Sequence, residues 1–205
     1  MEKIEQEESR YTVEPIQHYD IYNFYLKAQA GQWTQDEIKE EMSKDASRWN
    51  KLEPEVQHFI KYIVAFFAIS DGVVGEIINE ELLSRVKVKE AQIWYNHQAM
   101  MEDIHGIVYS RFVQEYVQSV QERNTIFHNI NSYKSIKSKI QWIHRWSGRA
   151  PEQIGQISNT EQAPLGQIVL ANAIMEGLFF SSSFCAIFWV NHYYKGMLPG
   201  LAKGN

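Results

Sequence analysis

The sequence predicts an all-α fold, a bundle of long helices in a single domain, on three observations. Apolar residues recur at helical spacing over long segments, Val/Ile alternation at period two is hardly found, and the five prolines and eleven glycines fall mainly at the segment ends. A chain of 205 residues is long enough for one generous domain and too short for two. Its hydrophobic share of 44% against 22% charged lies well outside the composition of disordered chains.

Residues 1–50 form an N-terminal arm with short helices. Within it, Tyr11 to Ala30 carries regularly spaced aromatics (Tyr19, Tyr22, Phe24, Tyr25) and contains a short helix. Bundle helices fill residues 54–195. The first starts at Pro54, a residue tolerated in an opening turn, and runs to about Leu83. Its stretch Tyr62 to Ile69 is apolar all round, which requires burial. A second long helix covers about Lys89 to Val120. Ser135 to Trp146 is a shorter amphipathic helix closed by Gly148, and the Gln-rich, aperiodic stretch Arg149 to Ala163 is a loop. The last strong helix begins near Pro164 and passes through Glu176 to about His192, after which Gly196, Pro199 and Gly200 break the chain. No internal repeat is visible, so a solenoid is excluded. Three long helices of this kind need a fourth to close a bundle.

A net charge of -5 without any Lys/Arg run offers no attraction to nucleic acid or anionic lipid. The lone Cys185 excludes a disulfide framework, a Cys-x-x-Cys pair and a thiolate-built zinc site, and it reads as a small buried hydrophobe. The opening MEKIEQEESR has no apolar core and is neither a secretory signal nor a transit peptide, so the expected location is cytoplasmic. Ile168 to Val190 is long enough to cross a bilayer. Asn172, Glu176 and the serines Ser181, Ser182 and Ser183 in its middle argue against a membrane span.

The chemistry starts from Glu102-Asp-Ile-His105, whose spacing puts a carboxylate and an imidazole on one side of a helix, one turn apart. They share a face with Tyr95, Gln98, Tyr109 and Phe112, an otherwise largely apolar ridge. A Glu-x-x-His taken alone is common and is ordinarily satisfied by neighbouring hydrogen bonds. Two further acids add weight. Asp71 lies in line with Phe67, Val74 and Ile78 within the all-round apolar helix, and Glu176 sits between Ala173 and Phe180. Unpaired buried carboxylates cost several kcal/mol, and no well-placed Lys or Arg is available to neutralise them. Ferritin-like di-metal bundles use one carboxylate from each of two helices and a Glu-x-x-His from each of the other two. Three of those four contributions are present. Glu55-Val-Gln-His58 cannot be the fourth: His58 and Asp71 share one helix, thirteen residues and about 20 Å of rise apart. It reads as a solvated first-turn pair.

Several stretches together resemble the small, radical-generating subunit of class I ribonucleotide reductase. They are Leu52-Glu-Pro-Glu-Val-Gln-His-Phe-Ile, Ala65-Phe-Phe-Ala-Ile-Ser-Asp-Gly-Val-Val, Met101-Glu-Asp-Ile-His-Gly-Ile-Val-Tyr-Ser and Met175-Glu-Gly-Leu-Phe-Phe-Ser-Ser-Ser-Phe. The similarity extends from Glu14-Pro-Ile-Gln-His-Tyr-Asp-Ile-Tyr to Gly196-Met-Leu-Pro-Gly-Leu.

The resemblance implies a single ferritin-like domain over residues 1–205, with the family's final helices lying past Asn205. It implies metal ligands at Asp71, Glu102, His105 and Glu176, the first three serving one metal and Glu176 a second. Tyr109 matches the radical-bearing tyrosine, Phe180 and Phe184 the apolar pocket around it, and Trp33, in Gly31-Gln-Trp-Thr-Gln, the tryptophan that passes an electron through His105. Read by their spacing alone, these aromatics are core residues. The implied cofactor is a pair of iron ions, with manganese as the alternative. The implied partners are a large catalytic subunit that reduces ribonucleotides and a second copy in a homodimer. The family's remaining Glu-x-x-His would follow the Met197-Leu-Pro-Gly-Leu segment, beyond the last residue. Three expectations follow: a fragment, half of a split subunit completed by another polypeptide, or a reduced relative without radical chemistry. The rival reading from another class is a non-catalytic ferritin-like metal-binding or structural protein.

Overall fold

The computed structural model describes residues 10–129, 132–148 and 163–204, and every ordered element among them is helical. Two short helices, α1 (Tyr19–Ala30) and α2 (Gln35–Trp49), build the arm. In α2 the Glu37 side chain accepts the Thr34 backbone N–H at 3.1 Å, as a capping box does. The first long helix, α3 (Pro54–Ile77), opens on its proline and continues through a π-helical turn, Ile78–Leu82.

The second, α4 (Lys89–Tyr116), ends short of the expected Val120. Val117 is extended, and Ser119 Oγ accepts the Glu122 N–H at 3.2 Å, which starts a separate helix, α5 (Val120–Asn129). Ser119, near the end of that expected helix, is instead the cap of the next one. Helix α6 (Lys134–Trp146) closes at Gly148, whose φ of +80° suits glycine. The expected loop over 149–163 falls almost wholly outside the described residues.

The segment read as one last helix consists of α7 (Leu165–Ile174), a π-helical turn (Met175–Phe179) and α8 (Ser181–Tyr193). Gly196 breaks the chain with a φ of +74°, as expected, but Pro199 and Gly200 do not prolong the break: they begin a short helix, α9 (Pro199–Lys203).

Helices α3 and α4 pack along each other and form the main core layer. The arm crosses α4, α7 leans on α6 and on the π turn after α3, and α9 seats on α2. Phe67, Phe112, Ile60, Ile77 and Leu82 are fully buried between these layers. On α8 the buried set is Ser183, Ile187 and Val190, one helical stripe. Cys185 lies on the opposite side and is exposed, so its reading as a buried hydrophobe is corrected. Two stretches, Pro54–Leu82 and Leu165–Tyr193, are long and apolar enough to cross a bilayer by length and composition.

Candidate metal centre

Helix α3 carries Asp71 one turn beyond Phe67, and α4 presents Glu102 and His105 across from it. One ligand atom from each of these three residues lies within 4.8 Å of the other two. His105 Nδ1 stands 3.6 Å from Glu102 Oε2. The π turn after α7 brings Glu176 to the same place, where Gln98 Nε2 donates to its Oε1 at 3.3 Å. A π turn inserts an extra residue per turn and re-aims the side chains it carries. Here the Phe180 N–H bonds to the Met175 carbonyl, five residues back, at 3.3 Å. The α-helical spacing that linked Glu176 to Phe180 and Phe184 therefore does not describe this stretch, although all three face one cavity. Nor is Glu176 fully buried between Ala173 and Phe180: Ala173 is exposed, and Glu176 borders a groove between α1, α4 and α7.

That cavity, of about 90 Å³, is lined by Trp33, Asp71, Glu102, His105, Tyr109, Glu176, Phe180 and Phe184, together with Phe67 and Gly204. The structure thus gathers every side chain that the sequence singled out for metal, radical and electron-transfer chemistry. Glu55 and His58 are exposed at the start of α3 and do not line it.

The electrostatics are those of an acidic site without its own cation. Among the described residues, no Lys or Arg lines the cavity. Burial, and then the neighbouring Glu102 and Glu176, push the Asp71 carboxyl well above the usual range. Glu176 is pushed up to about 8, by burial first and Glu102 second, against the opposing hydrogen bond from Gln98. Asp71 Oδ2 is buried with no hydrogen-bond partner. Two other fully buried acids show how unusual that is. Glu90 binds the Gln17 N–H at 2.8 Å and the Arg10 guanidinium at 2.8 Å. Asp45 accepts three hydrogen bonds. Burial alone therefore does not separate Asp71 from Glu90 and Asp45; the missing donor does. An orphaned carboxylate oxygen, two further carboxylates and an imidazole fit a hard or borderline divalent cation such as Fe(II) or Mn(II).

Tyr109 stands beside the acids and is 3% exposed. Burial, followed by the three carboxylates, drives its phenol well above the ordinary value, so the protonated form is held. Its O–H donates to the Gly204 carbonyl at 3.3 Å. Phe67 stacks on its ring at 5.0 Å, and stacks in turn on Phe184 at 4.9 Å and edge-on to Phe180 at 5.4 Å. Trp33 stacks on His105. Sequence reasoning missed Phe67, Gln98 and Gly204 as parts of the site. Phe67 and Gln98 were signalled by sharing helix faces with Asp71 and Glu102; nothing local marked Gly204.

The profile of the family described as "Ribonucleotide reductase, small chain" matches residues 10–205. The ribonucleoside-diphosphate reductase small chain of vaccinia virus (strain Western Reserve) is 38% identical over 197 residues, 96% of this chain and 57% of that protein. Subunit M2 of Mesocricetus auratus is 38% identical over 196 residues, 96% of this chain and 47% of its own length. The chain thus spans about half the length of these relatives. Among solved structures, the dimanganese(II)-NrdF of Streptococcus sanguinis superposes with a TM-score of 0.74 at 15% identity, covering 96% of this chain and 67% of that one, which shows the shared ferritin-like helical fold. The profile match over residues 10–205 and the two relatives place this chain in the small-chain family of ribonucleotide reductase.

Proposed function

We propose that this chain acts in a ribonucleoside-diphosphate reductase small subunit, as the part that holds a di-metal site and generates a tyrosyl radical at Tyr109. The observation that carries the reading is the convergence of Asp71, Glu102, His105 and Glu176, with one orphaned carboxylate oxygen, beside a buried phenol. Asp71, Glu102 and His105 hold the first metal, and Glu176, steadied by Gln98, serves the second. The described residues supply three of the four ligand groups such a site uses.

A metal pair held by these residues, iron or alternatively manganese, would supply the oxidising power, with oxygen as the oxidant. The chain's own residues do the rest. Tyr109 would lose one electron to that oxidising power and its phenolic proton to a carboxylate bordering the cavity, and the Gly204 carbonyl fixes the orientation of the O–H beforehand. Phe67, Phe180 and Phe184 exclude water and reductants from the resulting radical. Trp33, stacked over His105, carries the electron that links the site to the protein surface. The radical is used by a large subunit that reduces ribonucleotides to deoxyribonucleotides, and the complete small subunit works as a homodimer in the cytoplasm. On this reading the two long apolar helices are core helices.

The test is reconstitution of the full-length protein with Fe(II) and air, followed by absorption and paramagnetic resonance spectra. A tyrosyl signal is expected. Bound metal with no such signal would overturn the radical function and leave a metal-binding ferritin-like protein.

A further inference from the structure

Asp45 is a fully buried carboxylate that the proposed chemistry does not use. It lies on α2, yet its partners come from other elements. Its Oδ1 accepts the Gly200 N–H at 2.9 Å, and its Oδ2 accepts the Leu201 N–H at 2.8 Å and the Tyr116 O–H at 3.0 Å. Tyr116 is clamped by Trp49, one turn beyond Asp45 on α2, with ring centroids 4.1 Å apart and planes 3° from parallel. The carboxylate thus ties the opening turn of α9 to both α2 and α4.

The fit is close. A Cβ on Gly200 would stand 2.6 Å from the Met42 nitrogen and 2.7 Å from the Glu41 carbonyl carbon, so backbone meets backbone and only glycine serves there. Arg48 donates to the Gly196 carbonyl at 2.8 Å, and Lys203 to the Glu37 carbonyl at 3.1 Å, so α2 grips the segment at both ends as well. What this segment delivers is Gly204. It packs near Phe112 and Ile38, lines the cavity and accepts the Tyr109 O–H.

We infer that Asp45 is a positioning residue for the radical site: by anchoring α9 it holds Gly204 as the plug that closes the Tyr109 end of the cavity against water and polar reductants. The inference rests on the radical function proposed above for Tyr109. Asp45 acts at a distance, through α9, and touches no reacting atom. A charge buried at this depth costs stability, and its three donors offset part of that cost while tying a five-residue helix that could not hold itself in place.

The experiment uses the full-length protein in three forms: wild type, Asp45→Asn and the milder Tyr116→Phe, which leaves both backbone N–H bonds to Asp45 intact. Two quantities are read. Amide hydrogen exchange of Gly200 and Leu201 reports the anchor without any metal. The decay of the tyrosyl signal on adding hydroxyurea, a small polar reductant, to the iron- and air-treated protein reports the plug. Asp45→Asn is expected to speed both by about tenfold, as loss of hydrogen bonds to a charged acceptor implies, with α3 and α4 amides and the initial radical yield unchanged. Tyr116→Phe moves both in the same direction by a smaller factor. If Asp45→Asn unfolds the whole chain, the Tyr116→Phe pair of rates decides. Unchanged amide exchange refutes the anchor, and faster exchange with an unchanged decay refutes the plug. Absence of a radical in the wild type is the separate failure of the radical function and removes the plug with it, while the exchange rates still judge the anchor.

Discussion

Trp33 lies over His105 with ring centroids 5.3 Å and planes 30° apart, and His105 in turn stands 3.6 Å from Glu102. An indole, an imidazole and a carboxylate from α4 and the loop between α1 and α2 make one contiguous path from the rim of the arm to the acidic cavity. Replacing Trp33 by Phe keeps a ring but removes the readily oxidised indole. Metal uptake and the Tyr109 radical should persist when excess Fe(II) supplies the electrons. Ribonucleotide reduction with the large subunit should fall at least about tenfold. Turnover equal to wild type would route the electron elsewhere.

Tyr109→Phe separates metal binding from radical formation. The change removes one 3.3 Å hydrogen bond and leaves the stacking on Phe67, so stability should move by no more than about 1 kcal/mol. Metal stoichiometry should hold and the tyrosyl signal should vanish. The same signal in the variant would mean that another tyrosine carries it.

Phe67 joins the Tyr109 pocket to the core, touching Tyr109, Phe180 and Phe184 from a fully buried position. Phe67→Ala should cost about 3–5 kcal/mol in denaturant unfolding. Phe184, which is less buried, offers the cleaner test: Phe184→Ala should unfold less readily than Phe67→Ala and shorten the life of the radical. A radical as durable as wild type in Phe184→Ala would deny that side chain a shielding role.

On the proposed reading, Asp71 trades stability for metal binding. Its orphaned oxygen and the two neighbouring glutamates make the metal-free site unfavourable, so Asp71→Asn should raise the melting temperature of the metal-free protein, by about 1 kcal/mol in stability. Anaerobic Mn(II) should stabilise the wild type, because it binds only the folded site, and should not stabilise the variant. Thermal scans with and without Mn(II), reversed by chelator, measure both. A variant stabilised by Mn(II) as strongly as wild type would remove Asp71 from the ligand set.

Glu90 and Asp45 make opposite contributions to acid stability. Burial raises the Glu90 carboxyl, but the Gln17 N–H and the Arg10 guanidinium outweigh it and hold it at about 2. The stability this adds is complete above the ordinary value of 4.5 and is lost as pH falls from there toward 2. Asp45 is raised to about 6, by burial first, against its hydrogen bonds from Gly200, Leu201 and Tyr116. Its ionisation in the folded state therefore lowers stability as pH climbs from 3.8 through 6. Stability curves of Glu90→Gln and Asp45→Asn, each subtracted from wild type, should slope in opposite senses across these windows. Equal slopes would contradict the two environments.

Much of this arrangement was legible in the sequence because helical periodicity is a local property. The start of α3 at Pro54, the juxtaposition of Glu102 and His105 and the placement of Asp71 among apolar residues all follow from a repeat of 3.6 residues. Even the end of α4 was written locally, in the Ser119 cap that starts α5.

Other features were decided only when the helices met. A π turn forms where packing on both sides holds an extra residue in the ladder, so no local pattern marked Met175–Phe179, and with it the aim of Glu176 toward Gln98. The outward face of Cys185 depends on which side of α8 finds neighbours. Whether a buried acid is a ligand or a structural acceptor depends on what donors arrive from far along the chain: Asp45 receives Gly200 and Leu201 across some 155 residues, whereas Asp71 Oδ2 receives none. Sequence alone determined which residues share a helix face, since that is set by the screw of the backbone. Tertiary structure alone decided which faces converge and which carboxylates stay unsatisfied, since hydrogen-bond partners and desolvation are properties of the assembled core.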